Sequence, residues 1–219
     1  MIKVVGMVAW VVEDLNEALN EATVAGLRLR PDGSVVILLH VLALPEHGPV
    51  DPDTRRALIL SGTSTVRVLL RRERAAESPR YGPAIPLGDF DAVEKFFASI
   101  TVSGAMYGWE FLDNPGLTND WPSMISLEHN QELTAAAHSL YWFNECGLPA
   151  PHGYLSHCIE GVVDFMELAV ERFDGTPVPV EEFIAAGTRW WSAFSSGDPR
   201  VSVEAQRAQD PPLSWRPFP

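Results

Sequence analysis

Between Ser34 and Leu44 the chain reads SVVILLHVLAL, an almost unbroken apolar run rich in β-branched residues. Such a stretch has no polar side to offer to water, so as a strand it must be covered on both faces. The requirement selects a layered fold with a substantial core, which no single hairpin or helix pair supplies. The chain's 219 residues suffice for one such domain.

Further strands are expected nearby. RALILSG and STVRVLLRR flank an SGTS turn, and in the second Val66, Val68 and Leu70 alternate with Arg67, Leu69 and Arg71. This pattern predicts a half-buried strand, and the pair predicts a hairpin. SGAMYGWEFLD (Ser103 to Asp113), SMISLEH (Ser123 to His129) and HSLYWFNEC (His138 to Cys146) add aromatic and aliphatic strands separated by Asn, Pro and Gly. Strands this close in sequence pair mainly antiparallel.

Three segments carry helical periodicity. DLNEALNEA has Asp14 and Glu17 at capping-box spacing, with Leu15, Leu19 and Ala22 on one face. DAVEKFFASI repeats the device with Asp91 and Glu94 and aligns Val93, Phe96, Phe97 and Ile100. VEEFIAAGTRWWSAF aligns Phe183, Gly187, Trp190 and Phe194, the glycine allowing close approach to a sheet. Residues 158–173 read either way. A helix would place Ile159, Val162, Val163, Met166, Ala169, Val170 and Phe173 on one stripe, whereas Gly161 and Val162–Val163 favour a strand with a bulge near Met166. The number of periodic positions favours the helix.

The expected fold is therefore α+β: a single domain over residues 1–209, with a mainly antiparallel, sandwich-like sheet and two to four short helices, one near the C-terminus. Residues 210–219, DPPLSWRPFP, hold four prolines and are expected to extend along the surface, pinned by Trp215 and Phe218.

Charge limits function. Residues 1–80 carry ten basic and ten acidic side chains, whereas residues 81–219 carry six against nineteen. An acidic half disfavours nucleic acid and anionic membranes as partners, because phosphate contacts need clustered cations. The basic run RVLLRRER, Arg67 to Arg74, is read as a strand end emerging into solvent. No apolar run is long enough to cross a bilayer, and the N-terminal run ending at Glu13–Asp14 has no cleavage pattern. With only two cysteines, the expectation is a soluble cytoplasmic protein.

The chain lacks Rossmann, P-loop, nucleophile-elbow, HExxH, CxxC and EF-hand motifs. Two constellations remain. Cys146, His152, His157 and Cys158 are ligand and nucleophile types gathered in NECGLPAPHGYLSHC, although their spacing matches no recurring zinc pattern. They would serve a hydrolase or a metal-dependent enzyme. Gly147 to Gly153 reads as turn vocabulary. Seven tryptophans, several beside polar residues, form the second constellation. Trp109, Glu110, Trp142, Asn144, Arg189 and Trp190 are its candidate ligand-binding residues, since aromatic platforms rimmed by polar groups hold small ligands. Acid pairs such as Glu110 with Asp113, or Glu145 with a cross-strand residue, are unspecific in so acidic a half.

The leading expectation is a non-enzymatic binding or interaction domain with no cofactor, an immunity- or regulator-like protein for a basic protein or a small ligand. An acidic face would speed association with a basic partner.

Overall fold

The computed structural model describes residues 9–74, 79–100, 102–131 and 136–205, with the side chains of 9–11, 102–112, 115 and 154 outside the description. It is an α+β fold of two antiparallel sheets. Along the chain run α1 (Ala9–Leu19), β1 (Thr23–Leu29), β2 (Val35–His40), β3 (Arg55–Ser61), β4 (Thr65–Glu73), β5 (Tyr81–Ala84) and α2 (Phe90–Ser99). There follow β6 (Val102–Leu112), β7 (Leu127–Asn130), β8 (His138–Ala150), β9 (Gly153–Phe165), β10 (Glu167–Arg172), β11 (Pro177–Val178) and α3 (Val180–Ser196), with 3₁₀ turns at Pro115–Thr118 and Pro199–Val201. The first sheet has the order β1-β2-β3-β10-β11; the second has β5-β4-β9-β8-β6, with β7 also on β4. Residues 206–219, and with them Trp215 and Phe218, lie outside the described residues.

The apolar run from Ser34 becomes β2, and Val35 to Leu39 are buried on both faces as it requires. Val35, Ile37 and Leu39 enter the main core between the sheets; Val36 and Leu38 pack with Ala25, Ala57 and Ile59 on the other side.

The stretch 158–173 is not a helix. It forms the end of β9 and all of β10, broken at Met166. The helical count misled because both faces of β9 are covered, so apolar residues occur at either periodicity. Pairing of β9 with β8 and with the distant β4, and of β10 with the distant β3, decides the matter. Gly161 shows why: an added Cβ would stand 2.4 Å from Cε2 of the fully buried Trp142, so the indole occupies the space above the glycine.

RALILSG and STVRVLLRR form β3 and β4 but not a hairpin, since they lie in different sheets. Residues 62–64 turn the chain from one sheet into the other, and the β9–β10 break turns beside them. Ser64 N–H donates to Asp164 O at 2.9 Å and Met166 N–H to Ser61 O at 3.0 Å, so pairing continues around the corner. Gly62 takes φ +62° there, with Cβ and Cγ of Met166 only 2.9 Å from where a Cβ would sit.

The helices follow their apolar stripes, with shifted caps. α1 begins before Asp14, so that residue lies inside the helix and makes no capping box. Val12 already packs on the core one turn earlier. α2 is capped by Asp89, whose Oδ1 accepts from Ala92 N–H at 2.8 Å, and not by Asp91. Its Phe97 meets Trp142 at 6.1 Å between ring centres, and Arg28 of β1 grips Glu94 with two bonds of 2.9 and 2.8 Å. Gly187 of α3 admits another helix, not a sheet: a Cβ there would stand 2.6 Å from Ala18 Cα of α1.

Gly161→Ala should cost about 1–3 kcal/mol by overpacking against Trp142, measured by urea denaturation. Gly88→Ala, where a Cβ would meet nothing within 4 Å, should stay within about 0.5 kcal/mol of wild type.

Candidate functional site

Strand alternation sorts the second sheet into two chemically distinct faces. Leu140, Trp142, Asn144 and Cys146 of β8, opposite Val163, Gly161, Ile159 and His157 of β9, look into the core. The opposite face carries Arg67, Leu69, Arg71 and Glu73 of β4, Cys158, Glu160, Val162 and Asp164 of β9, and Tyr141, Phe143 and Glu145 of β8. This polar outer face is the candidate site.

At its centre lies Glu160, 6% exposed. Its carboxylate accepts from Arg71 and Cys158 on Oε1, and on Oε2 from Trp121 Nε1 at 2.9 Å and Tyr141 OH at 3.0 Å. A buried charge is tolerable only when paired and fully hydrogen-bonded, which Glu160 is. Beside it a second network joins Arg80 to Glu73 (2.8 Å) and to Glu145, Tyr81 OH to Glu145 (2.9 Å) and Ser156 to Glu73. Arg71 lies 4.6 Å over the Tyr81 ring and so links the two networks. Burial, reinforced by Glu160, raises the Tyr141 hydroxyl pKa and keeps it a neutral donor. Ser156 and Arg80 hold the Glu73 carboxyl below its usual range. The end of RVLLRRER does emerge into solvent, with Arg72 and Arg74 exposed, while Arg71 within it serves the chain's own acidic half.

Trp121 also pins the segment 113–126 over this face. Beside the segment, on the same sheet face, lies a cavity of about 600 Å³ open to solvent, lined by Arg67, Tyr141, Val162 and Asp164 from the strands and by Asp113, Asn114, Thr118 and the stretch Ala136–Ser139 around the rim. Asp113 adopts φ +55°, a left-handed conformation that Asp tolerates better than most residues. Its carboxylate accepts from Ser139 N–H at 2.8 Å and pairs with His138 Nδ1 at 2.9 Å. Arg67 behaves differently. Its guanidinium lies 6.0 Å from the Trp121 ring centre, its Nε is buried without a hydrogen-bond partner, and it makes no ion pair among the described residues.

The sequence candidates are dispersed. Trp142 is fully buried against Phe97 and Gly161. Asn144 is a core staple: Oδ1 accepts from Val24 N–H at 3.2 Å and Nδ2 donates to Val24 O, binding β8 to the bulge in β1. Arg189 donates to Leu44 O at 3.0 Å and to Glu182 at 2.7 Å, and Trp190 packs with Leu44 and Val201, so both dock α3. Trp109 and Glu110 pair with Phe143 and Trp142 in the backbone register, but their side chains lie outside the described residues.

The Cys/His group does not converge either. Cys146 and Cys158 are free and point to opposite faces of the sheet. His152 is exposed in the β8–β9 turn, and His157 stands against Phe96 at 6.1 Å. Among the described residues no three His, Cys, Asp or Glu side chains gather around a metal position. That turn is only Pro151–His152; Gly147 to Ala150 extend β8, whose Pro149 lies beyond the last residue paired with β6, where a sheet tolerates proline. Burial raises both thiols, Cys146 to about 12.

Sequence reading overlooked Asp164, Tyr141 and the His138–Asp113 pair, and noted Glu160 only beside the Cys/His group and Trp121 only among the seven tryptophans. The available signal was the alternation in CIEGVVDF, where Glu160, Val162 and Asp164 share one side of a strand.

Comparison with protein-family models, with curated proteins and with solved structures finds no match. Fold and site define the protein by geometry alone: a two-sheet α+β domain with a polar cavity on one sheet face.

Two predictions follow from these contacts. Native protein at pH 8 should show no reactive thiol toward an aromatic disulfide reagent, and both cysteines should react once urea unfolds it. Glu160→Leu, which strands Arg71, should cost about 3–5 kcal/mol, whereas adding Arg71→Met should recover much of the loss. Urea denaturation of the two variants measures both.

Proposed function

We propose that the protein is a non-enzymatic, regulator-like domain that binds a small ligand in the cavity beside the segment 113–126 on the second sheet. The observation that carries the reading is Arg67, whose side chain lines the cavity and makes no ion pair among the described residues. A guanidinium that lacks a carboxylate partner is a ready point of attachment for an anionic ligand group, to which it can donate charge-assisted hydrogen bonds. The cavity, at about 600 Å³, has the size of typical small-molecule sites, and the Tyr141 ring and Val162 supply apolar wall.

The same observations favour a small ligand over a basic protein. Glu73, Glu145 and Glu160, which would make this face acidic, are already bound to Arg80 and Arg71. They offer little free negative charge to a partner. Among the described residues no helix is long and apolar enough to cross a membrane. With two free, buried thiols, a reducing cytoplasm is the compartment we assign.

A thermal-shift screen of small carboxylates and phosphates tests the reading, followed by titration of any hit by calorimetry. A ligand at about a hundred times its Kd should stabilise the fold by about 2.7 kcal/mol. Arg67→Ala should weaken binding by about tenfold or more while leaving unliganded stability nearly unchanged. No stabilising ligand, or equal affinity in Arg67→Ala, would overturn it.

A further inference from the structure

Arg67 does not face the cavity alone. On β9, Asp164 also lines it, and its carboxylate makes no hydrogen bond or ion pair among the described residues. The register explains their relation: Arg67 pairs with Val162 and Thr65 with Asp164, so Arg67 and Asp164 are diagonal neighbours on one face of adjacent strands. Diagonal neighbours stand about 7 Å apart at the backbone, and these two project a cation and an anion into the same space without meeting each other.

Among the described residues, the other charged side chains that line the cavity are already paired. His138 and Asp113 pair with each other, and Tyr141 donates to Glu160. Two opposite charges remain, side by side. A purely anionic ligand on Arg67 would approach the uncompensated carboxylate of Asp164. A purely cationic ligand on Asp164 would meet the guanidinium of Arg67. An uncharged ligand would leave both charges desolvated and unpaired. A small zwitterion satisfies both: a molecule that carries a carboxylate and an ammonium on one carbon.

We propose that the ligand is a small zwitterion of the α-amino-acid type. Its carboxylate sits on Arg67, its ammonium on Asp164, and its side chain runs along Tyr141 and Val162. The assignment rests on the small-ligand reading above and sharpens it. Opposed charges on the site reject each half-ligand as well as attract the whole one, a recognised route to specificity.

The test titrates the full chain with each standard α-amino acid, and with two analogues of every binder, the carboxylic acid lacking the amine and the amine lacking the carboxylate. Calorimetry should show at least one amino acid binding about tenfold or more tightly than either analogue. In Asp164→Asn the amino acid should lose that advantage over its amine-free analogue, while in Arg67→Met it should lose it over its carboxylate-free analogue. Urea denaturation of each variant confirms that it folds. If an amine-free acid binds as tightly as the amino acid, or Asp164→Asn binds as wild type does, the zwitterion assignment falls and the small-ligand reading stands. If only phosphates or simple carboxylates bind, the result is the same. If no compound of any of these classes binds, both readings fall.

Discussion

Everything in this fold hangs on one bent, two-stranded ladder. β3 and β4, joined at the corner 62–64, run antiparallel to β10 and β9, joined at Met166. β2 and β1 attach to β3 and β11 to β10, while β8 and β6 attach to β9 and β5 and β7 to β4. Each half of the ladder belongs to a different sheet, so the two sheets are one surface folded over at the corner. Gly62 at φ +62° and the buried Thr63, whose hydroxyl donates to Leu60 O at 3.1 Å, make the fold-over possible. The extra residue in the 62–64 crossing acts as a bulge does elsewhere: it bends the ladder without ending it.

This corner also places the chemistry. Asp164 lies one residue from the end of β9, and its carbonyl accepts the hydrogen bond from Ser64 that carries pairing around the bend. Arg67 lies three residues after the crossing. The cavity charges are therefore fixed by strands at the most constrained point of the molecule, and rigid strands hold ligand groups more accurately than loops do. The rim is different in kind. The segment 113–126 is tied down by Trp121 to Glu160, by Asp113 at one end and by Ser126 against Leu70 at the other.

Sequence revealed what was locally encoded and missed what depended on partners. β2, α2 and α3 were legible because one face, or in β2 both, announced its own burial. Residues 158–173 were not, since Ile159, Val162, Val163 and Val170 suit a helix stripe as well as a strand covered on two sides. Only β8, a turn away, and the distant β4 and β3 resolve the choice. The supposed β3–β4 hairpin failed for a related reason: SGTS has turn composition, but composition does not say whether the chain reverses or bends. Local chemistry misled similarly at NECGLPAPHGYLSHC. Adjacent strand residues face opposite ways, so His157 and Cys158 are separated by the sheet itself. Asn144 looked like a ligand group and is instead the polar staple between layers, because the bulged backbone of β1 needs a partner at Val24.

The buried charges of the outer face follow a rule that isolates Arg67 and Asp164. Burying an ion pair is at best a modest gain for stability, and replacing such a pair by apolar residues is often neutral or better. A sheet face selected for stability alone would carry few of them. Here Glu160 accepts from Arg71, Tyr141 and Trp121, so that both of its carboxylate oxygens are engaged. That set orients Tyr141, an aromatic wall of the adjoining space, and ties down the segment that carries Trp121, and so its cost is recovered as pre-organisation. Arg67 and Asp164 have no such closure. Diagonal neighbours of opposite charge have an easy remedy in pairing with each other, yet no ion pair joins Arg67 to Asp164 among the described residues. On the proposed reading that separation is the binding function: each charge is held away from its natural partner until a ligand carrying both complementary groups enters between them.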